Sequence, residues 1–496
     1  MSASTLPLPD WVARRAQTHA DHVALEDAAG NWLSYADLDR QVSAVASWLR
    51  EHGAGPGERI ALLAGASIDF GIFAHAIPRS DAVLLPLNAR LTEDELRFQI
   101  TDGGVRLLFA DAAHLERANA AISGTAAEVV SIEARPAGSP EPAGTPPEVE
   151  PDGVHSVIYT SGTTGSPKGA LLTHGNFYWS AVASAENLGV DEGDRWLACM
   201  PLFHVGGLSI LLRSAIYGTT AVIHDGFDER RVNTALRSGG ITVLSVVATM
   251  LRRMLDADDE AYPSSVRAVL VGGGPVPEDL LVRARVRGLP VLQTYGLTET
   301  ASQVATLSDE DALRKLGSAG LPLGVTTLRI AAEDRPADAN EVGEIQVSGP
   351  TVTPGYLNRP DSTAASIRDG WLHTGDLGYL DEDGYLFVSD RRDDLIVTGG
   401  ENVYPAEVEA ALTSHPGVLE AAVVGLEDDR WGGTVAAVVV TREGKSPDAA
   451  ALAQHLRASL AGYKVPRRFE FSTEPLPRTA SGKLQRHLVR AGFASS

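Results

Sequence analysis

Apolar residues along this chain fall alternately into short β-branched runs and into longer stretches with helical spacing. Arg59–Leu63 contains a continuous apolar run typical of a buried strand. Residues 38–52 predict a helix, because Val42, Val45 and Leu49 fall on one helical face. The alternation continues for most of the length, and it predicts an α/β fold of layered mixed sheets and helices.

A charged cluster at residues 390–394 interrupts this pattern between two apolar strand-like pieces, 385–388 and 395–397. The roughly 100 residues beyond the cluster are enough for a separate small domain. Their predicted elements are strands at 421–425 and 434–440 and helices at 406–412 and 449–460. We therefore predict an N-terminal domain over residues 1–390 and a small α+β domain over residues 391–496.

The composition indicates an acidic globular protein. The 496 residues include 42 Lys+Arg and 64 Asp+Glu, so the formal net charge is −22. Such a field repels phosphate and argues against nucleic-acid partners and anionic membranes. The single cysteine, Cys199, excludes an intrachain disulfide, and no signal sequence or membrane-spanning apolar run is found. These features predict a cytoplasmic protein without membrane insertion.

Lysine is rare here, so each lysine is a candidate for a specific role. Only five of the 42 basic residues are lysines: Lys168, Lys315, Lys445, Lys464 and Lys483. Lys168 stands in residues 160–169, where five hydroxyl side chains and three glycines can offer hydrogen-bond donors to a polyphosphate. It is not a Walker P-loop, because Pro167 stands where the second glycine is required. The alternative is a flexible Ser/Thr/Gly loop.

Five segments in order make the chain resemble a known superfamily. They are residues 159–169, 293–300, 374–376, 390–393 and 477–483. Together they resemble the phosphate, adenine, ribose, hinge and catalytic-lysine motifs of the adenylate-forming superfamily, which includes acyl-CoA synthetases, firefly luciferases and peptide synthetase adenylation domains. The resemblance covers essentially the whole chain. It implies a large N-terminal adenylate-forming domain, a mobile C-terminal domain, ATP and Mg²⁺ as cofactors and coenzyme A as co-substrate.

The resemblance also implies roles for individual residues. The catalytic residues are Lys483, His204, Glu299 and Lys168. The nucleotide and CoA contacts are Thr160, Ser161, Gly162, Thr163, Thr164, Gly165, Lys168, Gly273, Gly274, Pro275, Thr294, Tyr295, Gly296, Thr298, Asp376, Arg391, Gly399 and Gly400. The acid contacts are His204, Ser209, Arg213, Thr249, Ser302 and Gln303. Glu299 and Thr160 are the metal ligands, and Asp393 is the hinge residue.

Chemical arguments from the residue types also support three of these roles. When a carboxylate attacks the α-phosphate of ATP, negative charge concentrates around one phosphorus, and an ammonium about 4 Å away is worth roughly 4 kcal/mol, or about 10³ in rate. Lys483, in a glycine-containing loop, is the candidate; a solvated tail lysine is the alternative. Glu299 offers the oxygen ligands that magnesium prefers, and its alternative is a surface helix cap. Asp376 can accept both ribose hydroxyls, unless it is only a turn residue.

The second half-reaction requires a domain movement. The CoA thiol must attack the acyl carbon from the side that the lysine loop occupies during adenylation, so the small domain has to move between the two steps. Residues 398–402, with two glycines that allow close approach, are expected to line the CoA channel. Lys464 is a weaker candidate on the CoA side, and Lys315 and Lys445 are expected at the surface.

Arg213 is the residue that best indicates which acid is activated. An arginine in an apolar stretch needs an anionic partner if it is buried, and a second substrate carboxylate would supply one. The alternatives are that Arg213 faces solvent or pairs with an acid of the protein. Residues 173–218, 244–251 and 298–303 resemble the 2-succinylbenzoate–CoA ligases of menaquinone biosynthesis more than fatty acid, acetate or coumarate ligases.

The predicted function is therefore an AMP-forming acid–thiol ligase that converts 2-succinylbenzoate, ATP and CoA to 2-succinylbenzoyl-CoA. The expected partners are these small molecules. The sequence leaves the oligomeric state open, and a homodimer is one of the options. The alternatives are a CoA ligase for another aromatic or medium-chain acid, an adenylation enzyme that loads a carrier protein, and a non-catalytic nucleotide-binding regulator. Lys168, Glu299, Asp376 and Lys483 together argue against the regulator.

Overall fold

The fold is described from a computed structural model. The structure describes residues 7–137, 147–160, 167–273, 276, 278–332, 335–390, 395–442, 444–445, 447–477 and 484–494. Within these ranges, strands and helices alternate in an N-terminal domain, and a smaller C-terminal domain follows.

Up to residue 160 the elements are β1 (Leu8–Pro9), α1 (Trp11–Thr18), β2 (Val23–Asp27), β3 (Trp32–Ser34), α2 (Tyr35–Glu51), β4 (Arg59–Leu63), α3 (Ile68–Arg79), β5 (Val83–Pro86), α4 (Glu93–Asp102), β6 (Leu107–Ala110), α5 (Leu115–Ala121), β7 (Glu128–Ser131), β8 (Glu148–Val149) and β9 (Val154–Thr160). From residue 168 they are β10 (Lys168–Thr173), α6 (His174–Leu188), β11 (Arg195–Ala198), α7 (Val205–Tyr217), β12 (Thr220–Ile223), α8 (Glu229–Ser238), β13 (Val243–Val247), α9 (Ala248–Ala257), β14 (Ala268–Gly272), α10 (Glu278–Val286), β15 (Val291–Leu297), β16 (Ser302–Thr306), β17 (Leu321–Pro322), β18 (Thr327–Ala332), β19 (Arg335–Pro336) and β20 (Gly343–Ser348). From residue 360 they are α11 (Pro360–Ser366), β21 (Ile367–Arg368), β22 (Trp371–Leu380), β23 (Leu386–Asp390), β24 (Ile396–Thr398), β25 (Glu401–Val403), α12 (Pro405–Thr413), β26 (Val418–Asp428), β27 (Gly432–Thr441), α13 (Ala449–Arg457), β28 (Arg468–Ser472) and α14 (Arg486–Ala494). Short 3₁₀ turns lie at Ile132–Ala134, Thr298–Thr300 and Gly462–Lys464.

Two large mixed sheets organise the N-terminal domain. One has the order β10-β9-β5-β4-β6-β7, and the other β17-β16-β15-β14-β13-β11-β12-β2-β3. Helices α2, α3 and α7 share one apolar core with side chains from both sheets, for example Leu49, Phe73 and Leu211 with Leu62 and Ile223. The remaining faces are covered by other helices, so both sheets are buried on both sides, as the continuous apolar strands require.

A smaller sheet and the C-terminal domain complete the fold. Strands β18 to β23 form a six-stranded sheet on a separate apolar cluster. In the C-terminal domain, β26-β27-β28 form a sheet with α12 and α13 on one face and α14 on the other. The layered α/β class is therefore confirmed. Among the described residues, no helix is long and apolar enough to cross a membrane.

Three histidines are buried together between α1, α3, β9 and α6. The ring of His155 lies 5.1 Å from that of His174 and 5.9 Å from that of Trp11. His75 lines the same small cavity beside Asp10 and Arg79, which form an ion pair. Burial lowers the pKa of His75 and of His174 to about 4, and it holds the pKa of His155 well below 6.5. The histidines are therefore neutral in the folded protein.

This cluster is expected to make the fold sensitive to acid. Each group takes up a proton near pH 6.5 when unfolded but not when folded, so stability is lost as the pH falls from about 6.5 towards 4. Between pH 6.5 and 5 the free energy of unfolding should fall by about 2 kcal/mol per histidine. Urea titrations should show a smaller loss in His155→Phe than in the wild type, whereas the exposed control His52→Phe should match the wild type. An unchanged pH dependence in His155→Phe would contradict this account.

Candidate active site

A cavity of about 590 Å³ lies between the two domains. The N-terminal domain lines it with the ends of β13, β14 and β15, with the segment before α7 and with the start of α9. The C-terminal domain lines it with the β24–β25 turn and with Arg430 and Trp431. The carboxyl ends of parallel strands are where open α/β sheets bind ligands, so this cavity is the candidate active site.

The cavity contains many of the predicted contact residues. Those that line it are Gly273, Thr294, Gly296, Thr298, Gly399, Gly400, His204, Arg213, Thr249, Ser302 and Gln303. Ser209 is buried in α7 and is not among the lining residues. Five further described positions are also not among them: Thr160, Lys168, Tyr295, Glu299 and Asp376. Ser161, Gly162, Thr163, Thr164, Gly165, Gly274, Pro275, Arg391, Asp393 and Lys483 lie outside the described residues.

The predicted phosphate segment begins and ends on two paired strands, and its residues 161–166 lie outside the described residues. Thr160 closes β9 and Lys168 opens β10, and the two residues are directly opposite in the antiparallel register. The Lys168 ammonium lies 5.5 Å from the centre of the Tyr356 ring. The paired ends of β9 and β10 therefore hold a hydroxyl and an ammonium next to each other, with the ammonium near an aromatic face.

Two tyrosines hold the candidate carboxylates. The Tyr356 hydroxyl donates to Glu299 Oε1 at 2.8 Å, and the Tyr295 hydroxyl donates to Asp376 Oδ2 at 2.7 Å. Burial raises the pKa of Glu299, against the opposing effects of the Tyr356 hydrogen bond and the Lys168 charge. Sequence reasoning missed Tyr356, whose only local signal is its place after Pro-Gly.

Gly296 allows the turn that follows Glu299 to return to β15. A Cβ at this position would lie 1.6 Å from the Ser302 carbonyl oxygen, so any other residue would force β15 and β16 apart. Ala301 and Ser302 have positive φ angles of 50° and 97°, a strained conformation for residues other than glycine. Strain of this kind is typical of functional sites.

Glu401 from the C-terminal domain reaches into the cavity wall of the N-terminal domain. Its carboxylate accepts from Arg90 Nη1 at 2.9 Å and from Asn88 Nδ2 at 3.4 Å, and lies 3.1 Å from His204 Nε2. Burial raises the pKa of Glu401, but the hydrogen bond and charge of His204, together with Arg90, hold it below its ordinary value. Glu401 is therefore an ionised bridge between the domains, which sequence reasoning placed only in the CoA channel.

Lys464 forms the second bridge. Its ammonium, on a side chain only 4% exposed, lies 2.6 Å from Glu95 on α4 and 2.8 Å from Glu407 on α12. Lys464 is thus committed to a buried ion cluster, and the expectation that it faces CoA is wrong. Lys315 is likewise paired, with Asp381 and Asp383, while Lys445 is exposed.

Arg213 is a buried cation at the cavity wall. The residue is 4% exposed, and its Nη2 donates to Ser180 Oγ at 2.9 Å. Its Nε is buried without a hydrogen-bond partner, and no carboxylate in the described ranges forms an ion pair with it. Burial lowers the pKa of its guanidinium. Both alternatives, a solvent-facing arginine and one paired with a protein acid, therefore fail for the described part of the chain.

Comparison with known proteins is consistent along the whole chain. Residues 12–357 match the model of the AMP-binding enzyme family, and residues 407–483 match that of the AMP-binding enzyme C-terminal domain. The chain is 46% identical over 484 residues to the 2-succinylbenzoate–CoA ligase of Geobacillus kaustophilus, covering 97% of each.

Two solved structures of the Bacillus subtilis o-succinylbenzoate CoA synthetase are similar in shape. A double mutant bound to a product analogue has a TM-score of 0.92 at 39% identity, covering 98% of this chain and 99% of that one. The complex with the acyl-adenylate intermediate has a TM-score of 0.75 at the same identity, covering 98% of both chains. Because the sequence identity is the same, the difference between the two TM-scores reflects a difference in shape. This chain is more similar in shape to the product-analogue complex than to the acyl-adenylate complex. Both domains match, and the chain belongs to the AMP-binding enzyme family.

Proposed function

We propose that this chain is an AMP-forming 2-succinylbenzoate–CoA ligase of menaquinone biosynthesis. In the first half-reaction, one substrate carboxylate attacks the α-phosphate of ATP and releases pyrophosphate. In the second, the CoA thiol attacks the acyl carbon and releases AMP. The observation that carries the substrate assignment is Arg213, a buried guanidinium at the cavity wall that has no carboxylate partner within the described residues. The ring carboxylate of 2-succinylbenzoate supplies that partner, and the aliphatic carboxylate reacts.

Several groups of the chain support a role in the first half-reaction. Lys168 lies beside the phosphate segment, and Tyr356 orients Glu299. Tyr295 holds Asp376, whose carboxylate is assigned to the ribose hydroxyls. Lys483 is assigned to the reacting phosphate, Arg391 to the ribose and Asp393 to the hinge; all three lie outside the described residues.

Glu299 and Thr160 fit a magnesium site that the nucleotide completes. No cluster of three or more His, Cys, Asp or Glu suited to a metal occurs within the described ranges. Magnesium is commonly held by one or two carboxylates together with substrate phosphates, and a carboxylate with a hydroxyl matches that pattern. When bound, the ion neutralises phosphate charge.

A panel of acids tests the substrate. With ATP, Mg²⁺ and CoA, kcat/KM for 2-succinylbenzoate should exceed that for 4-oxo-4-phenylbutanoate, which lacks the ring carboxylate, by roughly 10²-fold or more. Octanoate and benzoate report on the medium-chain and simple aromatic alternatives. Equal rates for the mono- and dicarboxylic acids would contradict the proposal. Mass spectrometry of the product separates a CoA thioester from an acyl group loaded on a carrier protein. Sedimentation shows whether the chain forms the homodimer that the sequence leaves open.

Glu401→Gln should slow the second half-reaction selectively. The substitution removes the charge that joins Glu401 to Arg90 and His204, and hydrogen bonds to charged groups contribute about 1.5–3 kcal/mol. Conversion of supplied acyl-adenylate and CoA should fall roughly 10-fold or more, while pyrophosphate formation should change less than about threefold. The exposed Glu474→Gln in the same domain is the control. Equal loss of both half-reactions would count against a role in domain arrangement.

A further inference from the structure

Ser180 does not line the acid pocket, but it contacts Arg213, the cation in the wall of that pocket. The residue is on α6, is 2% exposed and is not among the residues that line the cavity. Its hydroxyl accepts from Arg213 Nη2 at 2.9 Å. Among the described residues, the Arg213 guanidinium forms a hydrogen bond with this hydroxyl and with no other group.

The same hydroxyl also fixes the strained turn after Glu299. Ser180 Oγ donates to the Ala301 carbonyl oxygen at 2.7 Å, so its proton is committed and its lone pair faces the guanidinium. Ala301 and the following Ser302 have positive φ, and the Thr300 hydroxyl closes the turn with bonds to Leu297. Ser180 therefore joins the acid pocket to the turn that precedes Ser302 and Gln303.

The local structure holds Ser180 in place. A capping box between Thr173 and Asn176 fixes the first turn of α6, and the Asn176 amide donates to the Pro350 and Val352 carbonyls. One turn beyond Ser180, Ser184 is also buried. The hydroxyl of Ser180 thus sits on a rigid helix, whereas a free arginine side chain would have several rotamers.

We infer that Ser180 is a positioning residue that presents the Arg213 guanidinium to the second carboxylate of the acid and so sets the preference for dicarboxylic acids. A carboxylate is recognised best by a guanidinium whose two N–H groups are held in one plane towards it. The Ser180 hydrogen bond engages Nη2, and Nε, which is buried without a hydrogen-bond partner, stays available to a carboxylate. The inference rests on the proposed function, and it adds a residue that never touches the substrate.

The test is the ratio of kcat/KM for 2-succinylbenzoate to that for 4-oxo-4-phenylbutanoate. This ratio is independent of how much of a variant is folded. Ser180→Ala should lower it about 10- to 100-fold and should leave the KM for ATP within about threefold. Ser180→Thr, which keeps the hydroxyl, should recover most of the ratio, and Ser184→Ala should match the wild type.

A double variant shows whether Ser180 acts through Arg213. In the Arg213→Met background, Ser180→Ala should not change the ratio further, because no guanidinium is left to position. The inference would be overturned, and the proposed function kept, if the wild type prefers the dicarboxylate but Ser180→Ala lowers kcat/KM for both acids by the same factor. A wild type without any preference would overturn the proposed function and this inference with it.

Discussion

Replacing Arg213 with methionine is expected to lower kcat/KM for 2-succinylbenzoate by roughly 10²- to 5 × 10³-fold, because removing one partner of a buried charge pair costs about 3–5 kcal/mol. The value for 4-oxo-4-phenylbutanoate should change by less than about threefold, since this acid has no second carboxylate to lose its partner. Arg213→Lys should lie between the two, because lysine keeps the charge but not the planar pair of donors. Steady-state kinetics with both acids measures the difference. Equal losses for the two acids would remove Arg213 from the recognition of the ring carboxylate.

The same substitution is expected to stabilise the enzyme without substrate. Arg213 is 4% exposed, its Nε has no hydrogen-bond partner, and the described residues give it no carboxylate. Such a desolvated charge is costly, and exchanging buried charged groups for apolar ones often stabilises proteins by about 1–4 kcal/mol. Arg213→Met should therefore unfold at higher urea than the wild type when no acid is present. A loss of stability would mean that the hydrogen bond from Arg213 to Ser180 outweighs the cost of burying the charge.

The strands and helices were predictable where one local pattern decides them. Arg59–Leu63 is a strand as predicted, because both of its faces are covered and every side chain is apolar after Arg59. The helix predicted for residues 38–52 is Tyr35–Glu51 instead. Its start is earlier because Ser34 and Asp37 form a capping box. The Tyr35 hydroxyl also bonds the Ser214 and Thr219 carbonyls, a contact that helical spacing cannot show.

The candidate site was predictable through motifs, and it was missed where distant residues meet. The superfamily prediction is confirmed, and motif positions such as Thr294, Gly296 and Thr298 lie around one cavity. Tyr356 and Ser180 belong to no motif, because their roles depend on tertiary contacts with residues more than 30 positions away. The pairing of Glu401 with His204 depends on how the two domains are arranged. The sequence pattern does not predict how the two domains are arranged.

Lys483→Ala is expected to slow pyrophosphate formation about 10³-fold, because the proposed role of this residue is to supply an ammonium worth roughly 4 kcal/mol to the reacting phosphate. Conversion of supplied acyl-adenylate and CoA should stay within about threefold, since the thiol attacks the acyl carbon in that step and no bond to phosphorus is formed or broken. The shape of this chain is closer to the product-analogue complex than to the acyl-adenylate complex of the Bacillus subtilis enzyme. We therefore propose that the Glu401 bridge seen in this shape acts in the second step, and we expect Lys483 to act in the first.

Lys483→Ala and Glu401→Gln should therefore fail in opposite half-reactions. Single-turnover measurements of pyrophosphate release and of thioester formation separate the two steps, with the exposed Lys445→Ala as the control for loss of a lysine. Because each variant retains the step that the other loses, a folding defect cannot produce the pattern. Loss of both steps in Lys483→Ala would place the lysine in substrate binding common to both. Loss of both in Glu401→Gln would show that the bridge supports the cavity in every domain arrangement.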